Sequence, residues 1–153
     1  KALVWLLAES VSQRLRESRL RCRTISVGIR RAVDLIGYSR QTTLRVPTCL
    51  TSDVANVAMD LICANQPLDK EHAIRAIHVR TTNLSSMLEP TQHDIFGDVE
   101  KAYKLEKLDL AIDELRRRFG NKCVHRAVEL TDEVMSGLDI KRDNTVHPVG
   151  FLR

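Results

Sequence analysis

Aromatic residues are scarce in this chain of 153 residues, with one Trp, two Tyr and three Phe. Single-strand nucleic-acid binding by base stacking needs a cluster of such rings, and none is present. No run of about 18 apolar residues occurs, so no membrane-spanning helix is expected. Residues 1–8 are apolar but continue into an amphipathic pattern without a cleavage-like site, which argues against a signal peptide. Cys22, Cys49, Cys63 and Cys123 stand singly, without a Cys-x-x-Cys pair. Metal and redox sites need closer spacing, so reduced cysteines in a cytoplasmic protein are expected. His72, His78, His93, His125 and His147 form no ligand pair at helical spacing. No Gly-rich phosphate loop and no Ser/His/Asp arrangement is found, and no cofactor is expected in this stretch. The chain opens on Lys1 and not on methionine, which points to a piece of a longer protein.

What is present is a globular composition, 43% hydrophobic and 29% charged, with net charge +4. The charge is uneven. Residues 1–90 hold 13 Lys and Arg against 8 Asp and Glu, whereas residues 91–153 hold 11 against 12. Residues 14–31 alone carry seven Arg and one Glu. Such a concentration suits a phosphate-binding surface.

Val4, Leu7, Val11 and Leu15 recur at helical steps and predict a helix over residues 2–19. Residues 22–30 alternate: Ile25, Val27 and Ile29 on one side, Thr24, Ser26, Gly28 and Arg30 on the other, as in a half-buried strand. A turn over residues 32–37 leads to a second, hydrophilic strand over 38–46, which Pro47 should end. Thr51, Ser52 or Asp53 can cap a helix carrying Val54, Val57, Ala58, Leu61 and Ile62. A third strand is predicted over 73–82, with Ile77 and Val79 inward and Ala76, His78 and Arg80 outward. Two helices then cover one face of an antiparallel sheet, an α+β fold. The other face, with Thr24, Ser26, Arg30, Arg40, His78 and Arg80, is left bare. Small Thr, Ser and Gly let a nucleic-acid backbone approach, and Arg reaches phosphates.

Beyond the third strand, Gln92, Asp94, Ile95 and Phe96 form a Gln-x-x-Ile-Phe pattern. Two bulky apolar neighbours between folded segments need a groove. The pattern is similar to the peptide by which bacterial polymerases and repair proteins hook onto the ring-shaped sliding clamp. Residues 99–119 form the clearest helix, with Leu105, Leu108, Ile112, Leu115 and Phe119 in a stripe and Gly120-Asn121 as its stop. That stripe either docks on the preceding domain or forms a homodimer or partner interface. Asp109 and Asp113, one turn apart amid Lys and Arg, read as a solvated ion-paired face and not as a metal site. Residues 123–135 read as a further short helix, 137–143 as a polar segment, and 145–152 as an edge strand that could complete the sheet.

The order helix-strand-strand-helix-strand, the segment Tyr-Ser-Arg-Gln-Thr-Thr-Leu and the segment Ala-Ile-Arg-Ala-Ile-His-Val-Arg resemble the little-finger domain of bacterial Y-family translesion DNA polymerases, of the polymerase IV and UmuC kind. The resemblance covers residues 1–85. The clamp-type peptide and the helix that follows stand where bacterial members carry theirs. It implies a β-α-β-β-α-β little finger over residues 1–88 whose first strand is missing here, a linker over 89–98 and a helical extension over 99–153. It implies that Ser39, Arg40, Gln41, Arg75 and Arg80 touch template-primer DNA, with Thr42 in place of a second basic residue. It also implies that the catalytic carboxylates and their Mg2+ lie in a palm domain outside this stretch, which has no catalytic residues of its own. A protein-interaction module using the basic face or the Leu105 helix is the alternative.

Overall fold

The computed structural model describes residues 1–65, 73–90, 99–131 and 137. The order is α1 (Ala2–Glu17), β1 (Leu20–Arg31), β2 (Gly37–Thr48), α2 (Thr51–Asn65), β3 (Ile74–Ser86) and α3 (Val99–Phe119), then a 3-10 turn at Asn121–Cys123. The sheet is antiparallel in the order β2-β1-β3, the α+β arrangement expected. Among the described residues the outer edge of β3 carries no further strand.

The core follows from the alternation of β1. Ile25, Val27 and Ile29 are fully buried, and α1 and α2 close over them with Val4, Ala8, Leu15, Val54, Ala55, Ala58 and Ile62. Helix α1 stops two residues earlier than predicted, because Arg19 turns into the left-handed region at φ 55. The strands outrun their predicted ends. β2 continues through Pro47 to Thr48, which an edge strand tolerates because its outer N–H groups have no ladder partner to lose. The register of β1 against β2 shifts between Cys22 and Thr24. Cys22 and Cys49 are buried, and burial pushes both thiols up to about 11, so they stay protonated at neutral pH. All four cysteines are free.

Helix α3 docks on the back of the domain, away from the outer sheet face, but not mainly through its leucines. The side turned inward is Ala102, Leu105, Glu106, Asp109, Ile112, Asp113 and Arg116. Leu108, Leu115 and Phe119 are exposed. The expected solvated Asp109/Asp113 face is therefore corrected: Asp109 is 4% exposed. Its Oδ2 accepts from Arg16 Nη1 at 3.2 Å and from the Thr51 N–H at 2.9 Å, and its Oδ1 accepts from Arg126 Nη2 at 2.6 Å. Asp113 holds Arg16 through two bonds of 2.6 and 3.0 Å. Arg16 Nη1 also donates to the Cys49 carbonyl at 2.8 Å. Asp109 thus places a carboxylate at the N-terminus of α2, where unpaired N–H groups and the helix dipole favour an anion. Of the predicted caps, Asp53 accepts from the hydroxyl of Thr48, a residue not among them, and that hydroxyl in turn accepts from the Leu50 N–H.

The chain after α3 forms turns up to residue 131 and not the predicted helix. It is held to α1 by ions. Glu9 accepts from Arg116 at 2.7 Å and from Arg126 at 2.6 Å, while Arg116 also donates to the Val124 carbonyl. Arg126 lies over the Trp5 ring at 5.5 Å. Glu129 is fully buried, with His125 Nδ1 3.3 Å from its Oε2. Burial, and then the neighbouring Glu9, raise the Glu129 carboxyl above its ordinary value. A carboxyl raised on folding favours the folded state below its unfolded pKa, and that contribution fades as pH rises through the folded value. Glu129→Gln, which keeps the shape without the charge, is expected to gain stability relative to wild type between pH 5 and pH 8. Melting temperatures at the two pH values check this, and an equal difference at both would contradict it.

Candidate nucleic-acid interface

The antiparallel register fixes which side chains share the outer face. Gln41 and Arg80 lie opposite Ser26, Ser39 and His78 lie opposite Gly28, and Thr43 and Thr82 lie opposite Thr24. These are three rows across three strands. Gly37 and Ala76 flank Arg30 in a fourth. Thr43 and Thr82 were not singled out from the sequence, although the alternation beyond Gln41 and Arg80 points to them.

The face is not uniformly bare. Thr24 and Ser26, on the central strand, are buried between their neighbours, and the Thr24 hydroxyl bonds that of Thr43 at 3.1 Å. The floor is therefore small and closed, and the exposed groups stand on the two outer strands. Ser39 Oγ donates to the Val27 carbonyl at 3.2 Å. The His78 ring lies over Gly28, where a Cβ would come within 1.8 Å of it. Glycine at this position lets the imidazole lie low across the sheet. Arg80, Gln41 and Arg75 are exposed, and their side chains make no hydrogen bond or ion pair among the described residues. Arg75 stands at the start of β3, and Arg30 Nε donates to the Leu35 carbonyl at 3.0 Å.

Arg40 is the correction. It pairs with Val27 and so takes the helix side of the sheet, not the bare face. There its guanidinium lies 5.3 Å from the Tyr38 ring centre and donates to Asn65 at the end of α2 at 3.2 Å. The clamp-type residues Gln92, Asp94, Ile95 and Phe96 lie outside the described residues, as do residues 145–152. Among the described residues no group of three or more His, Cys, Asp or Glu could hold a metal ion, and no helix is long and apolar enough to cross a membrane.

The resulting surface is a low polar floor, rimmed by Arg80 and His78 on one strand and Gln41 on the other, that can approach a phosphate backbone closely without reading bases. The chain is 36% identical over 132 residues to a DNA polymerase IV of Acetivibrio thermocellus, covering 86% of this chain and 32% of that protein. It is 31% identical to a DNA polymerase IV of Pelotomaculum thermopropionicum over 86% of this chain and 31% of that one. A putative UV-damage repair protein UvrX of Bacillus subtilis is 28% identical over 86% of this chain and 30% of its own length. The chain thus spans about a third of the curated relatives it matches. Residues 1–95 match the family model described as the impB/mucB/samB family C-terminal domain, so the chain belongs to that family and carries its C-terminal domain, the Y-family polymerase domain that its sequence resembles.

Proposed function

We propose that this domain holds template-primer DNA for a parent translesion polymerase and recruits that polymerase to the sliding clamp. The observation that carries the first part is the row Gln41–Ser26–Arg80: a small residue at the floor, flanked by two exposed polar groups with no partner among the described residues. Gln41, His78, Arg75 and Arg80 supply donors to phosphates, while Thr24, Ser26 and Ser39, whose hydroxyl is given to the Val27 carbonyl, keep the floor low. Binding of this kind is independent of sequence and weakens with salt as counterions are released. The names of the relatives support a parent DNA polymerase.

Fluorescence anisotropy with a labelled duplex, titrated with salt, tests this. Arg80→Ala is expected to weaken binding to all sequences alike and to reduce the salt slope by about one. Arg40→Ala, on the helix side, is expected to change it less. A sequence-dependent loss at Arg80→Ala would contradict phosphate contact. A duplex affinity untouched by Arg80→Ala would remove the sheet face from the reading. The exposed Leu108, Leu115 and Phe119 favour a second use of α3 as a dimer surface. Sedimentation of wild type beside Leu108→Ser and Leu115→Ser reads that directly: a wild-type dimer broken by both supports it, and a wild-type monomer excludes it.

A further inference from the structure

The turn between β1 and β2 departs from ordinary turn chemistry. Positive φ usually falls to Gly, Asn or Asp, yet Leu35 sits at φ 59. The same turn exposes three bulky aliphatic side chains: Val33 at 79%, Leu35 at 45% and Ile36 at 59%. The turn is also firmly braced. Asp34 accepts from the Ile36 N–H at 3.0 Å and pairs with Arg31, and the Arg31 N–H donates to the Ile36 carbonyl at 3.0 Å. Arg30 Nε holds the Leu35 carbonyl, and the Ala32 N–H donates to the Ala73 carbonyl at 2.8 Å, tying the turn to the residue before β3. Arg75 is exposed at that same end of the sheet. The result is an apolar knuckle held by hydrogen bonds in a basic collar of Arg30, Arg31 and Arg75, and the carboxylate within the turn, Asp34, is engaged by Arg31 and the Ile36 N–H. A strained backbone and exposed apolar surface, both held in place by their surroundings, mark a contact site.

We propose that this knuckle is a second duplex contact: Val33, Leu35 and Ile36 enter a groove against base edges or a base step, while the collar arginines face the flanking phosphates. Charge complementarity selects the partner, because a duplex presents apolar base-step surface between two anionic rails. The proposal rests on the DNA-holding reading above, and Arg30 makes the two surfaces continuous, since it belongs to the outer sheet face and braces the knuckle.

The test is anisotropy of a short labelled duplex with the whole chain, for wild type, the double variant Val33→Ser/Ile36→Ser, Leu35→Gly and Arg80→Ala. The double variant is expected to lose about tenfold in affinity with its salt slope unchanged, as befits lost apolar contact, whereas Arg80→Ala reduces the slope. Leu35→Gly relieves the left-handed strain, so its melting temperature should not fall although its affinity does. That pairing separates a contact from a folding defect. A double variant that binds like wild type while Arg80→Ala weakens would overturn the knuckle and leave the sheet face standing. Failure of the wild type to bind duplex at all would overturn both. An equal loss of the double variant's affinity for poly-glutamate would mean an acidic protein partner and would also overturn it.

Discussion

Asp109→Ala is expected to lower the unfolding free energy by about 3 kcal/mol, the range for removing one partner of a buried ion pair. The reason is what the carboxylate leaves behind. Arg16 and Arg126 each lose an anion, and the Thr51 N–H at the start of α2 loses its acceptor. Arg16 keeps its two bonds to Asp113, which holds the loss toward the lower end of the range. Asp109→Asn, which retains an acceptor oxygen but not the charge, should fall between the two. Glu114→Ala is the contrast. Glu114 pairs with Arg117 and Arg118 on the open side of the same helix, and solvent screens exposed pairs of this kind, so its denaturation midpoint should stay close to wild type. Urea titrations of the three variants decide the matter, and Asp109→Ala with the midpoint of Glu114→Ala would refute the buried network as a structural element. The consequence reaches beyond one residue. The family match ends at residue 95, yet α3 supplies the anions for a buried arginine of α1 and for the N-terminus of α2. A chain cut before Val99 should share the loss.

How much of this was legible in the sequence depended on whether the signal was local. The β1 alternation is local, and it placed Ile25, Val27 and Ile29 in the core and the Thr24 side outward, as observed. Arg40 was misplaced although the information was at hand. A strand has period two, so a strand that turns Ser39 and Gln41 outward must turn Arg40 the other way. The hydrophilic run over Tyr38–Thr43 hid this because it has no regular apolar marker of parity. The docked face of α3 was not legible, for a different reason. Its contacts to Arg16 and Glu9 join residues some hundred positions apart, and Asp109, Asp113 and Arg116 look like any solvated helix face until their partners are known. The leucines carried the visible period, and the structure buries the charged side more deeply than Leu108 and Leu115. The placing of the small residues Thr24, Ser26 and Gly28 together on the outer face was legible from the same alternation. The burial of Thr24 and Ser26 beneath their neighbours needed the register.

The double variant Ile95→Ala/Phe96→Ala is expected to lose sliding-clamp binding by more than about a hundredfold. In a peptide that fills a groove, a few apolar and aromatic anchors carry most of the free energy, at least about 2 kcal/mol each, and about 3 kcal/mol is already more than a hundredfold. Ile95 and Phe96 are the two large apolar residues between the end of β3 at Ser86 and the start of α3 at Val99 apart from Met87 and Leu88. Gln92→Ala removes one hydrogen bond and should cost about 1 kcal/mol. Asp94→Ala, at a solvated position of such a peptide, should cost less and lose its effect in high salt. Duplex binding by the double variant should equal wild type, because the sheet face does not include these residues. Surface plasmon resonance on immobilised clamp, with the duplex titration beside it, separates the outcomes. Loss of clamp binding with intact duplex binding assigns two partners to two parts of one chain. Clamp binding that survives the double change would move recruitment elsewhere and leave the peptide without a role. Loss of both would mean that the segment supports the domain itself, in which case Ile95 and Phe96 pack on their own chain and not on a partner.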